Sequence, residues 1–437
     1  MLPHSLTLCI EKGTVGAPAA SAIRARATTG SAMKIWIKLL LGSLIGLALA
    51  LLLPATVQGI LDAVSDVLLG IGRYAIFPLV FFSVGVGVSE LRQEKRLLRV
   101  YVSIVKYLAV AAAVLVLIGV VSVLIFPPER VPIAVAADHA LQPVNVLDGL
   151  KAIFPRNLFT VLGRGGEFLL PVVVLAFLLG VNLDFDRLLT RPIAQLFDSL
   201  SRIFYHLNSL VVELLGIAMI AIAAAWIMRV AQAGPGTYRQ ILIIMAVDVA
   251  LVAFGVFPGA LSLLGVRNPY RWLYAALGPG LVGLFAGDQY LAIGVLSKHG
   301  KESLGVPRSI GSSVYAVSAC LGRAGSAMVA AVSFMLVLRS YSQIEISFLQ
   351  VLWVIGFSFL VSFVLGAVPG SGAYYAVFML CSLYGKGLQE GYLVLKAIAP
   401  LVVAFGAFID VLASAFISLL IAREENVWSE VETENFI

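Results

Sequence analysis

Three ionisable residues stand in stretches that are otherwise apolar. Asp288 opens Asp288-Gln289-Tyr290, Arg323 lies in Gly322-Arg-Ala-Gly-Ser326, and Asp410 sits inside the last long apolar run. A charge at the centre of a bilayer costs about 2.5–3.5 kcal/mol by insertion measurements. Charges that persist there mark ion or substrate pathways, or else static pairs that hold helices together. A fourth feature carries no charge. Val368-Pro-Gly-Ser-Gly-Ala373 separates the apolar runs Phe348–Gly366 and Tyr374–Tyr384, and neither reaches the roughly 20 residues needed to cross a bilayer core. They read as two half-spans around a bend. Irregular backbone at membrane depth is tolerated only inside protein or against a water-filled cavity, and in secondary transporters such broken segments point to the binding site. A surface loop between two helices is the plainer alternative.

The elements that must position these residues follow from composition. Of 437 residues, 60% are apolar and 12% charged, half the charge of a typical soluble domain. The chain is a polytopic membrane protein. Apolar spans are predicted at about 35–53, 60–91 (with Pro78 inside), 101–126, 168–181, 193–230, 241–264, 310–337 and 392–422, with a partly polar external excursion at 129–164. Basic residues precede the first span and follow the second (Arg92-Gln-Glu-Lys-Arg-Leu-Leu-Arg99), which puts the N-terminus in the cytoplasm. Residues 1–32 lack apolar periodicity and read as a disordered tail or an over-extended start ahead of Met33. Residues 423–437 read as an acidic, disordered cytoplasmic tail.

Trp272–Gly287, the interruption at Asp288, and Leu291–Leu296 form a second apolar–polar–apolar unit like the one around Val368. Interrupted hairpin, span, hairpin, span is the plan of a repeat, with tips meeting near the midplane.

Other chemistry finds little support. The net charge of +6 gathers beside spans rather than in a nucleic-acid patch. Cys9, Cys320 and Cys381 have no disulfide or metal spacing, and His206 and His299 stand alone. Gly370-Ser-Gly372 lacks a strand-to-helix setting and triad partners, and no phosphate loop is present. The chain is not read as an enzyme, and no cofactor is implied. Asp248 and Glu213 lie within spans, where a hydrogen bond to a neighbouring helix is the favoured role; Arg73 and Lys106 are expected to snorkel. Gly255, Gly259, Gly278, Gly280 and Gly283 suit close helix packing.

From about Lys34 to Glu425 the chain resembles the dicarboxylate/amino acid:cation symporters, the glutamate transporter homologues. Phe77-Pro-Leu-Val-Phe-Phe-Ser83 is similar to the family's Met-Pro-Leu-Val-Phe-Phe-Ser, Pro155-Arg-Asn-Leu-Phe159 to its Pro-x-Asn-x-Phe, and Val368-Pro-Gly-Ser-Gly to the second hairpin tip, Val-Pro-Gly-Ala-Gly. The resemblance implies an all-α fold with eight transmembrane helices and two re-entrant helical hairpins. It also implies a homotrimer in the inner (cytoplasmic) membrane. Residues 33–265 would form the scaffold and trimerisation domain, and 266–422 the transport domain.

The resemblance is weaker at the functional positions. Where the family has Arg-Ser-Ser-Ser, this chain has Asp288-Gln289-Tyr290-Leu291. Where it has Asn-Met-Asp-Gly-Thr, this chain has Gly322-Arg323-Ala324-Gly325-Ser326. The last span carries Val403, Gly406, Asp410 and Ser414 in place of an Asp, the substrate-pairing Arg, an Asn and a second Asp. The implied substrate site comprises Asp288, Gln289, Tyr290, Arg323, Gly325, Ser326, Val368, Pro369, Gly370, Ser371, Gly372, Gly406, Asp410 and Ser414. No metal site is assigned beyond Asp410 as a cation or proton site, with Na+ or H+ as coupling ion. Family geometry would gather Asp288, Arg323 and Asp410, so that one cation offsets two anions. The expected function is ion-coupled symport of a small amino acid or carboxylate by alternating access, lipid being the other partner. A passive anion or solute conduit, and a transport-inactive scaffold or sensor, remain alternatives.

Overall fold

The computed structural model describes residues 33–132, 157, 161, 169–232, 234–342, 346–367 and 372–437; the extension at 1–32, most of the 129–164 excursion and Val368–Ser371 lie outside them. The described chain is helical, with no strand. Its α-helices are α1 (Ile35–Leu52), α2 (Gln58–Tyr74), α3 (Ile76–Gln93), α4 (Leu97–Ile125), α5 (Leu170–Asn182), α6 (Arg187–Gln232), α7 (Arg239–Ala250), α8 (Phe257–Leu263), α9 (Tyr270–Ala286), α10 (Gln289–Glu302), α11 (Arg308–Leu321), α12 (Ala324–Tyr341), α13 (Phe348–Val364), α14 (Ala373–Tyr384) and α15 (Ala399–Glu424).

Among the described residues, seven helical stretches are long and apolar enough to cross a membrane: 35–52, 55–93, 97–125, 188–232, 236–263, 308–341 and 391–424. They coincide with seven of the eight predicted spans. The remaining one, near 168–181, is the 13-residue α5, short of the roughly 20 residues that a crossing requires.

The stretch 308–341 is the centre of the molecule. Its most apolar window is 94% buried, against 28% for 35–52. A helix that is apolar all round has to be enclosed, by lipid or by protein, and this one is enclosed by protein. α4, α13, α14 and α15 pack on α12, while α1, α2 and α3 pack on α6. Exposed Leu44, Ile45, Val102, Val105, Leu214 and Ile217 leave apolar faces on α1, α4 and α6, as lipid-facing helices require.

Several boundaries differ from the sequence reading, each for a local reason. The second span divides at Ala75, so that Pro78 falls in the first turn of α3, where its missing N–H costs nothing. α10 continues past Leu296 through Ser297-Lys298-His299-Gly300-Lys301, because Lys298 pairs with Glu213 of α6 at 3.3 Å and is itself buried. The span at 310–337 is broken only at Gly322 and Arg323, with Ala324 already in α12. The expected disordered tail is instead packed: Trp428 Nε1 donates to Leu304 O at 2.9 Å, and Phe436 is 4% exposed.

Gly280 and Gly283 admit α15 as expected, since an added Cβ would lie 3.0 Å from Phe408 and 2.9 Å from Val411; Gly259 faces open space and packs on nothing. The tightest crossing was not anticipated. Beyond α13, a 3-10 turn at 365–367 sets Gly366 directly against the Cys320 carbonyl at the end of α11. Gly366→Ala is therefore expected to destabilise the protein by about 1–3 kcal/mol through overpacking. Gly259→Ala should be neutral or stabilising by up to about 1 kcal/mol through helix propensity. Thermal unfolding of the purified variants, followed by size-exclusion chromatography, would check the contrast.

Candidate functional site

The break in the central helix leaves the first N–H groups of α12 without intrahelical acceptors. Asp410, on α15, supplies them. Its Oδ1 accepts from Gly325 N at 2.7 Å and Ser326 N at 3.1 Å, and its Oδ2 accepts from Ser326 Oγ at 2.6 Å. The carboxylate, 1% exposed, thus caps the positive end of a helix from a neighbouring helix. On the other side of the break, Arg323 N donates to Ser362 O of α13 at 3.2 Å.

So short a side chain reaches only if the backbones are close. An added Cβ on Gly325 would fall 2.8 Å from Asp410 N, and one on Gly406 would fall 2.8 Å from Ala373 Cβ and 3.0 Å from Ser326 Cα. The space a side chain at 406 would need is filled by α12 and by the first residue of α14. Further along α15, Ser414 Oγ donates to Asp410 O at 2.8 Å and meets Ser318 Oγ at 2.7 Å. Ser414 thereby ties α15 to α11.

The Asp288 tip is built differently. Gly287 ends α9 in the left-handed region at φ 61°, where a glycine carries no Cβ penalty. Asp288 then caps α10 by accepting from Tyr290 N at 2.9 Å. Its remaining oxygen pairs with Arg73 of α2 at 2.6 Å. Asp288 therefore does not join Arg323 as the resemblance implied; its counter-charge is the arginine that was expected to snorkel. Arg323, 5% exposed, donates from Nε to Ala319 O at 3.1 Å and lies 5.3 Å from the Tyr290 ring centroid. Gln289 is 6% exposed, and its amide oxygen and nitrogen have no partner among the described residues.

Val403 lies between Gly287 and Gly372. An added Cβ on Gly287 would be 3.0 Å from Val403 Cγ1, and one on Gly372 would be 3.3 Å from it. The structure thus brings Asp288, Gln289, Tyr290, Arg323, Gly325, Ser326, Gly372, Gly406, Asp410 and Ser414 into one connected region, whereas Val368, Pro369, Gly370 and Ser371 lie outside the described residues. Sequence reasoning missed Arg73, Ser362 and Ser318. Only Arg73 left a local signal, as a lone cation inside an apolar span.

Other charges within spans have partners elsewhere. Ser122 Oγ donates to Asp248 at 2.7 Å, the neighbouring-helix hydrogen bond favoured for it, and Lys106 pairs with Glu424 at 3.3 Å. No group of three or more His, Cys, Asp or Glu that could hold a metal ion occurs among the described residues.

Two relatives align with nearly the whole chain. A proton/sodium-glutamate symport protein of Bacillus caldotenax is 19% identical over 422 residues, covering 93% of this chain and 97% of its own. One of the same name from Geobacillus stearothermophilus is 21% identical over 428 residues, with the same coverage. The family model of the sodium:dicarboxylate symporters matches residues 33–424. Since that match runs over most of the chain and takes in the broken helix and Asp410, the chain belongs to the sodium:dicarboxylate symporter family.

Proposed function

We propose that this protein is a secondary active transporter that moves a small amino acid or monocarboxylate with a coupling cation, by alternating access. The observation that carries the reading is the broken central helix with Asp410 on its downstream N-terminus. Around it lie Arg323 and the Gln289 amide, which keeps a donor and an acceptor without a partner among the described residues. The relatives' names specify glutamate with protons or sodium. In this chain the position of the acid-pairing arginine is Gly406, and Ala373 and Ser326 occupy its space. A site whose helix terminus already holds an internal carboxylate suits a zwitterion or monocarboxylate better than a dianion. Asp410 is the group on which the cation, Na+ or H+, would act, since three donors leave a carboxylate with acceptor capacity to spare.

The moving body in this proposal is the 266–422 domain that the resemblance implied, with α4 transferred to it from the 33–265 scaffold because α4 packs along α12, α13 and α15. The static body is built on α1, α2, α3, α5 and α6, assembles as a homotrimer, and sits in the inner membrane with the N-terminus cytoplasmic.

In proteoliposomes, with Na+ and H+ gradients imposed separately, uptake of a small neutral amino acid or monocarboxylate should exceed that of aspartate, and one gradient should drive it. Strong sodium-driven aspartate uptake would overturn the substrate assignment; current without coupled uptake would favour a conduit. Asp410→Asn turns one acceptor oxygen into a donor facing the donors of α12. It is expected to lower uptake at least about tenfold, roughly 1.4 kcal/mol, and Arg323→Ala should do likewise. Unchanged transport in both, at matched expression, would reduce the cluster to a helix clamp.

The Arg73–Asp288 pair joins the two proposed bodies and has to separate in each cycle. A double Arg73→Cys, Asp288→Cys variant bridged by a short bis-maleimide should lose nearly all the uptake it shows before bridging, while each single variant treated with the same reagent keeps its own untreated rate. Full activity after bridging would place both residues in one body.

A further inference from the structure

The hairpin of α9 and α10 is joined at only one end by its own chain. At the tip, Gly287 and Asp288 link the two helices. At the base, α9 starts at Tyr270 and α10 ends at Glu302, and the chain leaves these two feet toward α8 and α11. The arms pack on each other, but a cavity of about 250 Å3 lies at the base, with Ala275 of α9 and Leu304 beyond α10 both on its wall. Direct packing of arm on arm does not fill that space.

The C-terminal tail crosses it. On the α10 foot, besides the Trp428–Leu304 bond, Ser429 N and Ser429 Oγ both donate to Gly305 O, each at 3.2 Å. Gly305 has φ 69°, and any side chain there would run into Ser429 O, so the turn needs glycine both for its backbone and to seat the tail. On the α9 foot, Glu430 pairs with Arg271 at 2.7 Å, and the Phe436 ring stacks on Tyr274 with centroids 5.6 Å apart. Ile437 N then returns to the α10 foot, donating to Ser303 Oγ at 3.4 Å. Chain ends are ordinarily loose unless tied down, and this one is tied to both arms. Residues 432–435, between the docked stretches, are exposed. The tail therefore touches down on each side and stands clear between, and its ion pair has Glu430 65% exposed. A terminal segment held this way belongs to the low-stability end of a structure and is released as a unit, and ordering or release of a segment is a recurrent switch.

We propose that residues 426–437 are a releasable brace on the base of the first hairpin. Docked, the tail holds the feet of α9 and α10 together, so that the arms and the Asp288 tip move as one piece. Undocked, it lets the feet part and opens the space between them to the side of the membrane on which the tail lies. The consequence for transport rests on the alternating-access reading; the brace itself does not.

The test measures the separation of the feet in nanodiscs and needs no substrate, so its failure is distinct from a failure of the transport reading. Nitroxide labels are placed on Asn268→Cys and Lys301→Cys, both exposed, in a Cys9→Ser background; Cys320 and Cys381 are buried. A control pair on Leu349→Cys and Leu383→Cys, also exposed, reports on the arms of the second hairpin, α13 and α14. With the tail intact, double electron–electron resonance should give a narrow distance distribution for each pair. Removing residues 427–437 should shift the first pair to longer distances and widen its distribution about twofold, leaving the control pair unchanged. Phe436→Ala, which frees only the far end of the tail, should give an intermediate width. An unchanged first pair would overturn the proposal, as would equal broadening of both pairs, which marks general loosening. If the truncated chain does not fold, Phe436→Ala decides by the same two criteria.

Discussion

The carboxylate of Asp410 on the N-terminus of α12 is the interaction on which the rest of the structure depends. A helix broken deep within an apolar bundle exposes donors that neither lipid nor apolar side chains can satisfy, at about 1–3 kcal/mol for each one left unpaired. A lone buried carboxylate is costlier still. Each answers the other, and the three hydrogen bonds use groups from helices far apart in the chain. Because aspartate is short, the backbones must nearly touch, and Gly325, Gly406 and Ala373 are small for that reason. On the upstream side, Ser362 accepts from Arg323 N, and Gly366 abuts Cys320. The break is thus held from both sides by the arms around it.

Much of this architecture was legible in the sequence. The alternation of apolar runs with Pro, Gly and charge located seven of the eight spans, the interruption at Asp288 and the helix break, because burial in lipid forces those patterns locally. What could not be read were partners. Asp288 and Arg73 are 215 positions apart, and nothing around either residue names the other. The same holds for Lys298 and Glu213, whose pairing extends α10 through residues that look like a polar loop. The width of the helix break was misjudged for a related reason. Gly325 and Ser326 look like helix breakers until a carboxylate from α15 caps them into helix. The tail's acidity suggested disorder, but its order rests on Trp428 and Phe436, whose docking surfaces lie on α9 and the end of α10.

Charge balance connects the site to its surroundings. Asp288 is balanced by Arg73, and the helix terminus that would attract an external anion already holds Asp410. The arrangement differs from three charges collected around one ligand. It distributes them between a junction with α2 and a cap inside the bundle, with Arg323 stacked on Tyr290 near the tip. Neutralising charges this way removes the large desolvation cost that each would carry alone.

The packing of α4 bears on which parts can move as one. Gly119 of α4 admits α12 so closely that an added Cβ would lie 2.9 Å from Val332 and 3.0 Å from Met328. At the other end, Lys106, Arg96 and Arg99 of the α4 region reach Glu424 and Glu425 at the end of α15. Close-packed interfaces of this kind do not slide smoothly, because ridges of side chains would have to climb over one another. The link from Asp288 to Arg73 is of another kind: an ion pair at 2.6 Å whose arginine is half exposed, one of several polar links to the α6 side beside Lys298–Glu213 and Arg308–Asp198. Polar links of this kind can open and remake more readily than an interdigitated helix face, and the Asp288–Arg73 pair lies where the start of α10 meets α2.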